Sequence, residues 1–134
     1  MSLENVKSDN GCFVCGHENP IGLKIDFVVD KENRRASANL QIGSNYQGWQ
    51  GVVHGGIIAT LLDEAAIYAC RAISDEAVTA ALSVRYKSPV EINCPLNLEA
   101  EVISVKRNIA IVKSRIIVES SIKAEAEVKV MLFQ

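Results

Sequence analysis

Apolar and polar residues alternate first across residues 23–30, where Leu23, Ile25, Phe27 and Val29 oppose Lys24, Asp26 and Asp30. A period of two is the repeat of a half-buried strand. Lys31-Glu32-Asn33 supplies a turn, and residues 35–42 alternate again, with Ala36, Ala38, Leu40 and Ile42 against Ser37, Asn39 and Gln41. Two such runs across a short turn predict a hairpin. Residues 43–51 carry three glycines and no period, so they read as a loop. Residues 55–73 lack proline, have no glycine after Gly56 and are rich in Ala, Leu and Ile. That run is too long for a typical strand and predicts a helix ending at Ser74-Asp75-Glu76. Only strand patterns follow. Residues 77–88 place Val78, Ala80, Leu82, Val84 and Tyr86 on one expected face, with Thr79, Ser83, Arg85 and Lys87 on the other. Pro89 and Pro95 bracket a connection, and residues 96–105, 108–118 and 122–132 complete the series.

The predicted order is β-β-α-β-β-β-β, an α+β architecture. One helix cannot cover both faces of a six-stranded sheet. It is expected to lie on one face of a curved antiparallel sheet, leaving the other face or an edge for a partner chain. The division expected is a leader over residues 1–22 that packs on a single domain over residues 23–134.

Charge narrows the partners. Fourteen basic residues against sixteen acidic ones give a formal charge of −2, with no basic stripe for nucleic acid. The first ten residues have no apolar segment of the signal-peptide kind. The longest apolar region, residues 52–73, contains His54, Asp63, Glu64 and Arg71, which a membrane span would not normally tolerate. A soluble, cytoplasmic protein without nucleic-acid or membrane partners is expected.

The helix holds the candidate chemistry. On a helical wheel Gly56, Thr60, Asp63, Ile67 and Arg71 fall near one line, while Ile58, Leu61, Leu62, Ala65 and Ala69 fill the sheet-facing side. A carboxylate in the middle of an Ala/Leu helix is costly if buried without a partner. Asp63 is therefore either exposed, paired with a group such as Arg71, or set as base or nucleophile in a partly apolar cleft. Gly55 and Gly56 open the helix, where the first amides are free and favour negative charge, a developing oxyanion included. They serve equally well as a tight packing loop. No Ser or Cys sits in a nucleophile motif such as G-x-S-x-G.

His54-Gly55-Gly56, followed by Asp63, after a glycine-rich loop and at the head of a long helix, resembles the hotdog-fold thioesterases, most closely the phenylacetic-acid-type acyl-CoA thioesterases. The leader sequence CFVCGHENPIGLKIDF is similar to that of a sub-branch of these proteins, and the likeness spans residues 11–134. The resemblance implies a long central helix wrapped by a curved antiparallel sheet, and hydrolysis of an acyl-CoA to a free acid and coenzyme A without a further cofactor. It implies Asp63 as the catalytic carboxylate and Gly55 as the amide that polarises the thioester carbonyl. Thr79 would hold the water or the carboxylate, and His54, the motif histidine, would orient the loop and contact the thioester. Gly56 and the loop would contact substrate. Sites at a homodimer interface follow, with Asp63 and Thr79 of one chain facing His54 and Gly55 of the other, in a tetramer of two dimers. Many relatives carry Asn where this chain has Gly48; its task would fall to Gln47 or Gln50, or be absent. The other reading is a hotdog protein that binds acyl-CoA without turning it over.

Trp49 and Tyr46 could line an acyl pocket or anchor the loop. Arg85 and Lys87, with Lys106 and Arg107, could meet the phosphates of coenzyme A. Cys12 and Cys15, with His17 close by, suggest zinc, but one pair and a histidine leave a structural site short of four ligands. The expectation is no metal, with the leader acting as a cap over buried thiols.

Overall fold

The alternating segments assemble into one antiparallel sheet in the computed structural model, which describes residues 7–133. The strands are β1 (Val28–Asp30), β2 (Arg35–Leu40), β3 (Glu76–Tyr86), β4 (Leu96–Lys106), β5 (Ile109–Val118) and β6 (Ser121–Phe133). They lie in the order β1-β2-β4-β5-β6-β3. Helix α1 (Gly55–Cys70) packs on one face, and β1 and β3 form the two edges. The expected hairpin is present, with Val29 opposite Ala36.

Packing explains why this helix sits here. Ile58, Leu61, Leu62, Ala65, Ala66, Ala69 and Cys70 of α1 are all buried. They meet the inward residues of the central strands, including Leu98 and Ala100 of β4, Val112 and Ile116 of β5, and Ala126 and Val128 of β6. Alanine on both sides lets the helix axis approach closely, and Leu61 and Leu62 fill the remaining space with no exposed surface. Full burial of each leucine contributes about 1.5–3 kcal/mol. Ser114 of β5 is the polar member of this layer; its hydroxyl donates to the Leu62 carbonyl at 2.9 Å. That bond fixes α1 against the sheet one residue before Asp63. The opposite face is charged, with ion pairs Arg35–Glu101, Arg115–Glu99 and Lys87–Glu125.

The structure differs from the sequence pattern in three places. β1 is confined to Val28–Asp30; before it Lys24 has a left-handed φ of 55° and the Leu23 and Ile25 N–H groups bond the leader instead of β2. Ile25 is nonetheless buried, as its place in the alternation predicts. α1 ends at Cys70; the Ser74 N–H returns to the Cys70 carbonyl and turns the chain. The largest difference is in β3, where a bulge between Thr79 and Ala81 inserts Ala80. Thr79 pairs with the buried Val130, Leu82 with Val128 and Val84 with Ala126. The inward set is therefore Ala77 and Thr79 before the bulge and Leu82, Val84 and Tyr86 after it. One extra residue changes the phase of alternation, so Thr79 faces the helix and Val78 does not.

The leader, over its described residues 7–22, returns across the domain. The Leu23 N–H bonds the Phe13 carbonyl at 2.7 Å and the Ile25 N–H bonds Val14 at 3.0 Å. Val14 is buried. The expected burial of the leader thiols is corrected: Cys12 is exposed and Cys15 only half-buried. Residues 1–6 of the expected leader lie outside the described residues.

Candidate active site

The bulge brings Thr79 over the helix, where its hydroxyl donates to Asp63 Oδ1 at 2.5 Å. Both residues are half-buried. The separation is at the short end for a hydroxyl on a carboxylate. Arg71 does not pair with Asp63; its guanidinium stacks on the Tyr68 ring, 4.0 Å from the centroid. One carboxylate oxygen of Asp63 is thus held by Thr79, and the Oδ2 oxygen has no partner among the described residues.

The other half of the motif is at the start of α1. His54 is the N-cap, and its Nδ1 accepts the Gly56 N–H at 2.8 Å. The Ile57 and Ile58 N–H groups both reach the His54 carbonyl. Of the first amides, only that of Gly55 lacks a partner among the described residues. It lies at the positive end of the helix, so it is a donor available to an oxyanion. The loop that presents it is braced from several directions. The His54 N–H bonds the Tyr46 carbonyl, and the Val53 N–H bonds the Val90 carbonyl. Tyr86 donates its hydroxyl to the Gly55 carbonyl at 2.7 Å.

Eight residues separate Gly55 from Asp63, about 12 Å along a helix at ~1.5 Å per residue. One substrate carbonyl cannot touch both groups of the same chain.

The remaining expected site residues divide. Gln47 points its side chain back into the loop and accepts the Gly51 N–H at 3.2 Å. Gln50 is exposed, and Trp49 is 87% exposed, so within one chain it neither anchors the loop nor lines a pocket. Tyr46 does anchor; it is half-buried and its hydroxyl bonds the Ile21 carbonyl at 3.2 Å. Arg85 pairs across the sheet with Glu125 in register and lies on the charged outer face, turned away from Asp63 and from the Gly55 amide. Lys87 is held by Glu125 at 3.2 Å. At Gly48, a β-carbon would come within 3.2 Å of His54 Cα and 3.3 Å of its ring.

Two groups near the site were not singled out by the sequence reading. Tyr86 sat in the apolar alternation of β3, and only its contact with Gly55 shows its polar use. Glu64, next to Asp63, turns to the leader, where Cys12 donates its thiol to Glu64 Oε2 at 3.1 Å. Burial pushes the Glu64 carboxyl above its ordinary range, and the charge of Asp63 adds to it. Burial likewise pushes the Cys15 thiol up to about 11 and the Tyr68 phenol up to about 12.

The family model described as Thioesterase superfamily matches residues 50–125, which include the His54 motif, α1 and β3 to β5. The chain belongs to the thioesterase superfamily. Its helix and six-stranded antiparallel sheet are the hotdog fold of that superfamily. Among curated proteins, this thioesterase-superfamily chain is 31% identical to the acyl-coenzyme A thioesterase THEM4 of Xenopus laevis over 61% of its own length and 37% of the relative's. It is 33% identical to THEM4 of Mus musculus over 58% of its length and 34% of that protein. The chain thus spans about a third of the curated relatives it matches. A crystal structure of a thioesterase superfamily protein superposes with a TM-score of 0.84 at 25% identity, covering 92% of this chain and 61% of the other. The E. coli PaaI protein of the phenylacetic acid degradation operon gives 0.75 at 21% identity over 84% of this chain and 81% of PaaI. A Streptococcus mutans protein solved bound to acetyl CoA gives 0.76 at 19% identity over 87% and 94% of the two chains. No helix among the described residues is long and apolar enough to cross a membrane.

Proposed function

We propose that this chain hydrolyses an acyl-CoA thioester, with Asp63 as base or nucleophile and the Gly55 amide as oxyanion donor. The observation that carries the reading is the Thr79–Asp63 hydrogen bond, which orients a mid-helix carboxylate that no cation neutralises among the described residues. The THEM4 relatives bear the name of that activity, and one structural neighbour holds acetyl CoA.

A thioester carbonyl is already electrophilic, so the protein has little to supply beyond polarisation and a positioned attack. The carbonyl oxygen accepts from the Gly55 N–H, which is worth about 2.7–4 kcal/mol to the transition state. Asp63 takes the proton of an attacking water, or attacks itself and is released by water. Base assistance typically adds about 10²–10⁴-fold. In the first route the water adduct collapses with C–S cleavage; in the second, C–S cleavage leaves an acyl–Asp63 anhydride that water then hydrolyses. In both the coenzyme A sulfur leaves as thiolate and takes up a proton, and the acid departs.

The separation of Gly55 from Asp63 makes the site composite. In this reading two chains meet so that Asp63 and Thr79 of one face His54 and Gly55 of its partner in an isologous dimer. The exposed edge strand β3, with Ala80 to Ser83 open, supplies a surface for that contact. Trp49 and Gln50 are then available to the partner or to the acyl group. A cytoplasmic location and pairing of dimers into a tetramer belong to the same proposal.

The test is thiol release from short, medium, long and aromatic acyl-CoAs by wild type and by Asp63→Ala. Hydrolysis lost in the variant supports the enzyme. Absence of hydrolysis with acyl-CoA binding retained in calorimetry favours the non-catalytic binding protein.

A further inference from the structure

The leader and α1 meet at a cluster that the thioesterase reading does not use. Cys12 Sγ, Cys15 Sγ and a carboxylate oxygen of Glu64 all lie within 4.8 Å of one another. Cys12 and Cys15 sit on a tight turn, closed by the Gly16 N–H on the Cys12 carbonyl at 2.8 Å. The Val14 N–H points at Cys12 Sγ from 3.4 Å. The turn is so close that a β-carbon on Gly16 would stand 2.3 Å from the Asn10 carbonyl oxygen and 2.5 Å from the Cys12 nitrogen. Only glycine closes it, and the closure turns both sulfurs toward α1.

On sequence alone Cys12 and Cys15 with His17 leave a structural zinc site one ligand short of four, and no metal is expected. The structure removes His17, whose Nε2 is 2.6 Å from Asp26. It adds Glu64, fifty-two residues from Cys12 in the chain. Glu64 is half-buried and makes no ion pair with Lys or Arg among the described residues.

We propose that Cys12, Cys15 and Glu64 bind a thiophilic divalent cation of the zinc class, which clamps the leader to α1 beside Asp63. Zinc holds thiolate at ~2.3 Å and carboxylate at ~2.0–2.2 Å in a tetrahedron, so ligand atoms on one ion lie roughly 3.3–3.8 Å apart. The observed cluster reaches that spacing by a small contraction of side chains. Thiolate ligands select zinc over magnesium or calcium. Two thiolates and a carboxylate carry three negative charges that a divalent ion largely offsets; with three protein ligands the site is of the open kind, its fourth position held by water, and not the closed four-ligand kind that the sequence failed to complete. The leader side of the cluster is joined to α1 by the Cys12 thiol, which donates to Glu64 Oε2 at 3.1 Å.

The experiment uses the full chain, fully reduced and stripped with a chelator, titrated with zinc in calorimetry and with cadmium in ultraviolet absorption. One ion per chain, with a thiolate-to-cadmium charge-transfer band, is the expected result. Cys12→Ser and Cys15→Ser should abolish both signals. Glu64→Gln should weaken zinc binding by roughly tenfold or more, with the circular dichroism spectrum unchanged. Zinc should also slow proteolysis of the leader in wild type and not in Cys12→Ser. No uptake by the reduced wild type overturns the proposal, as does uptake that Glu64→Gln leaves unchanged. A cluster that only forms a Cys12–Cys15 disulfide in air, and takes no metal when reduced, overturns it too.

Discussion

Thr79 reaches Asp63 across sixteen residues of sequence and holds one oxygen of its carboxylate at 2.5 Å. The bond exists because the bulge at Ala80 turns Thr79 toward the helix. A hydrogen bond to a charged group is worth about 1.5–3 kcal/mol. Thr79→Val should therefore lower kcat by roughly 10- to 100-fold with little change in KM, and Thr79→Ser should recover most of the loss. Steady-state thiol release on the three proteins checks it; equal turnover by Thr79→Val would remove Thr79 from the site.

Gly55 can lose its N–H without losing the helix. It is the first helical residue, where proline is well tolerated. His54 before it has φ −58° and ψ 137°, the extended conformation that a following proline requires. Gly55→Pro should reduce kcat by about 10²–10³-fold while the melting temperature changes little. Gly55→Ala keeps the amide, and its β-carbon would meet the Tyr86 ring at an ordinary 3.5 Å. It should retain most of the activity. Equal losses in the two variants would show that space, not the amide, matters at this position.

Gly48 tests whether the Asn that the resemblance leads one to expect here would serve better. A side chain here presses on His54, with 3.2 Å to Cα, and His54 Nδ1 caps α1. Loss of an N-cap costs about 0.5–2 kcal/mol. Gly48→Asn should lower both the melting temperature and kcat. A rise in turnover would mean that the loop yields and that an amide side chain at this position aids the reaction.

Cys70 is fully buried on α1, and burial alone pushes its thiol from 9.0 up to about 11. A group whose pKa is raised by folding favours the folded state fully below its unfolded value. That stability is lost as pH rises from about 9 through about 11. In native protein Cys12 should react quickly with a thiol reagent, and Cys70 only at the rate of unfolding. Mass spectrometry of partly labelled protein separates them; fast labelling of Cys70 at neutral pH would contradict the packing of α1.

Most of the fold was legible because its elements repeat cleanly. The runs of β4 to β6 were legible as strands, and period 3.6 placed Ile58, Leu61, Leu62, Ala65 and Ala69 on the buried side of α1. β3 was misread in its first half, since no residue type announces that Ala80 is an extra residue; the bulge is set by pairing with β6, which the alternation of one strand does not encode. Asp63, His54 and Gly55 were visible as chemistry that disturbs an apolar helix. Arg85 was proposed by its charge for the phosphates of coenzyme A; its register opposite Glu125 puts it on the outer face. Glu64 was hidden because a second carboxylate beside Asp63 reads as a solvated neighbour, and its partner Cys12 lies far away in sequence.

The most direct test of the composite site uses two inactive parents. Asp63→Ala and Gly55→Pro chains carrying different tags are refolded together, and the heterodimer is isolated and assayed for thiol release from its best acyl-CoA. If Asp63 of one chain works with Gly55 of the other, one of the two symmetry-related sites carries both defects and the other carries none. The heterodimer should then show about half the activity of the wild-type dimer, while each parent shows almost none. A heterodimer as inactive as its parents would contradict the account.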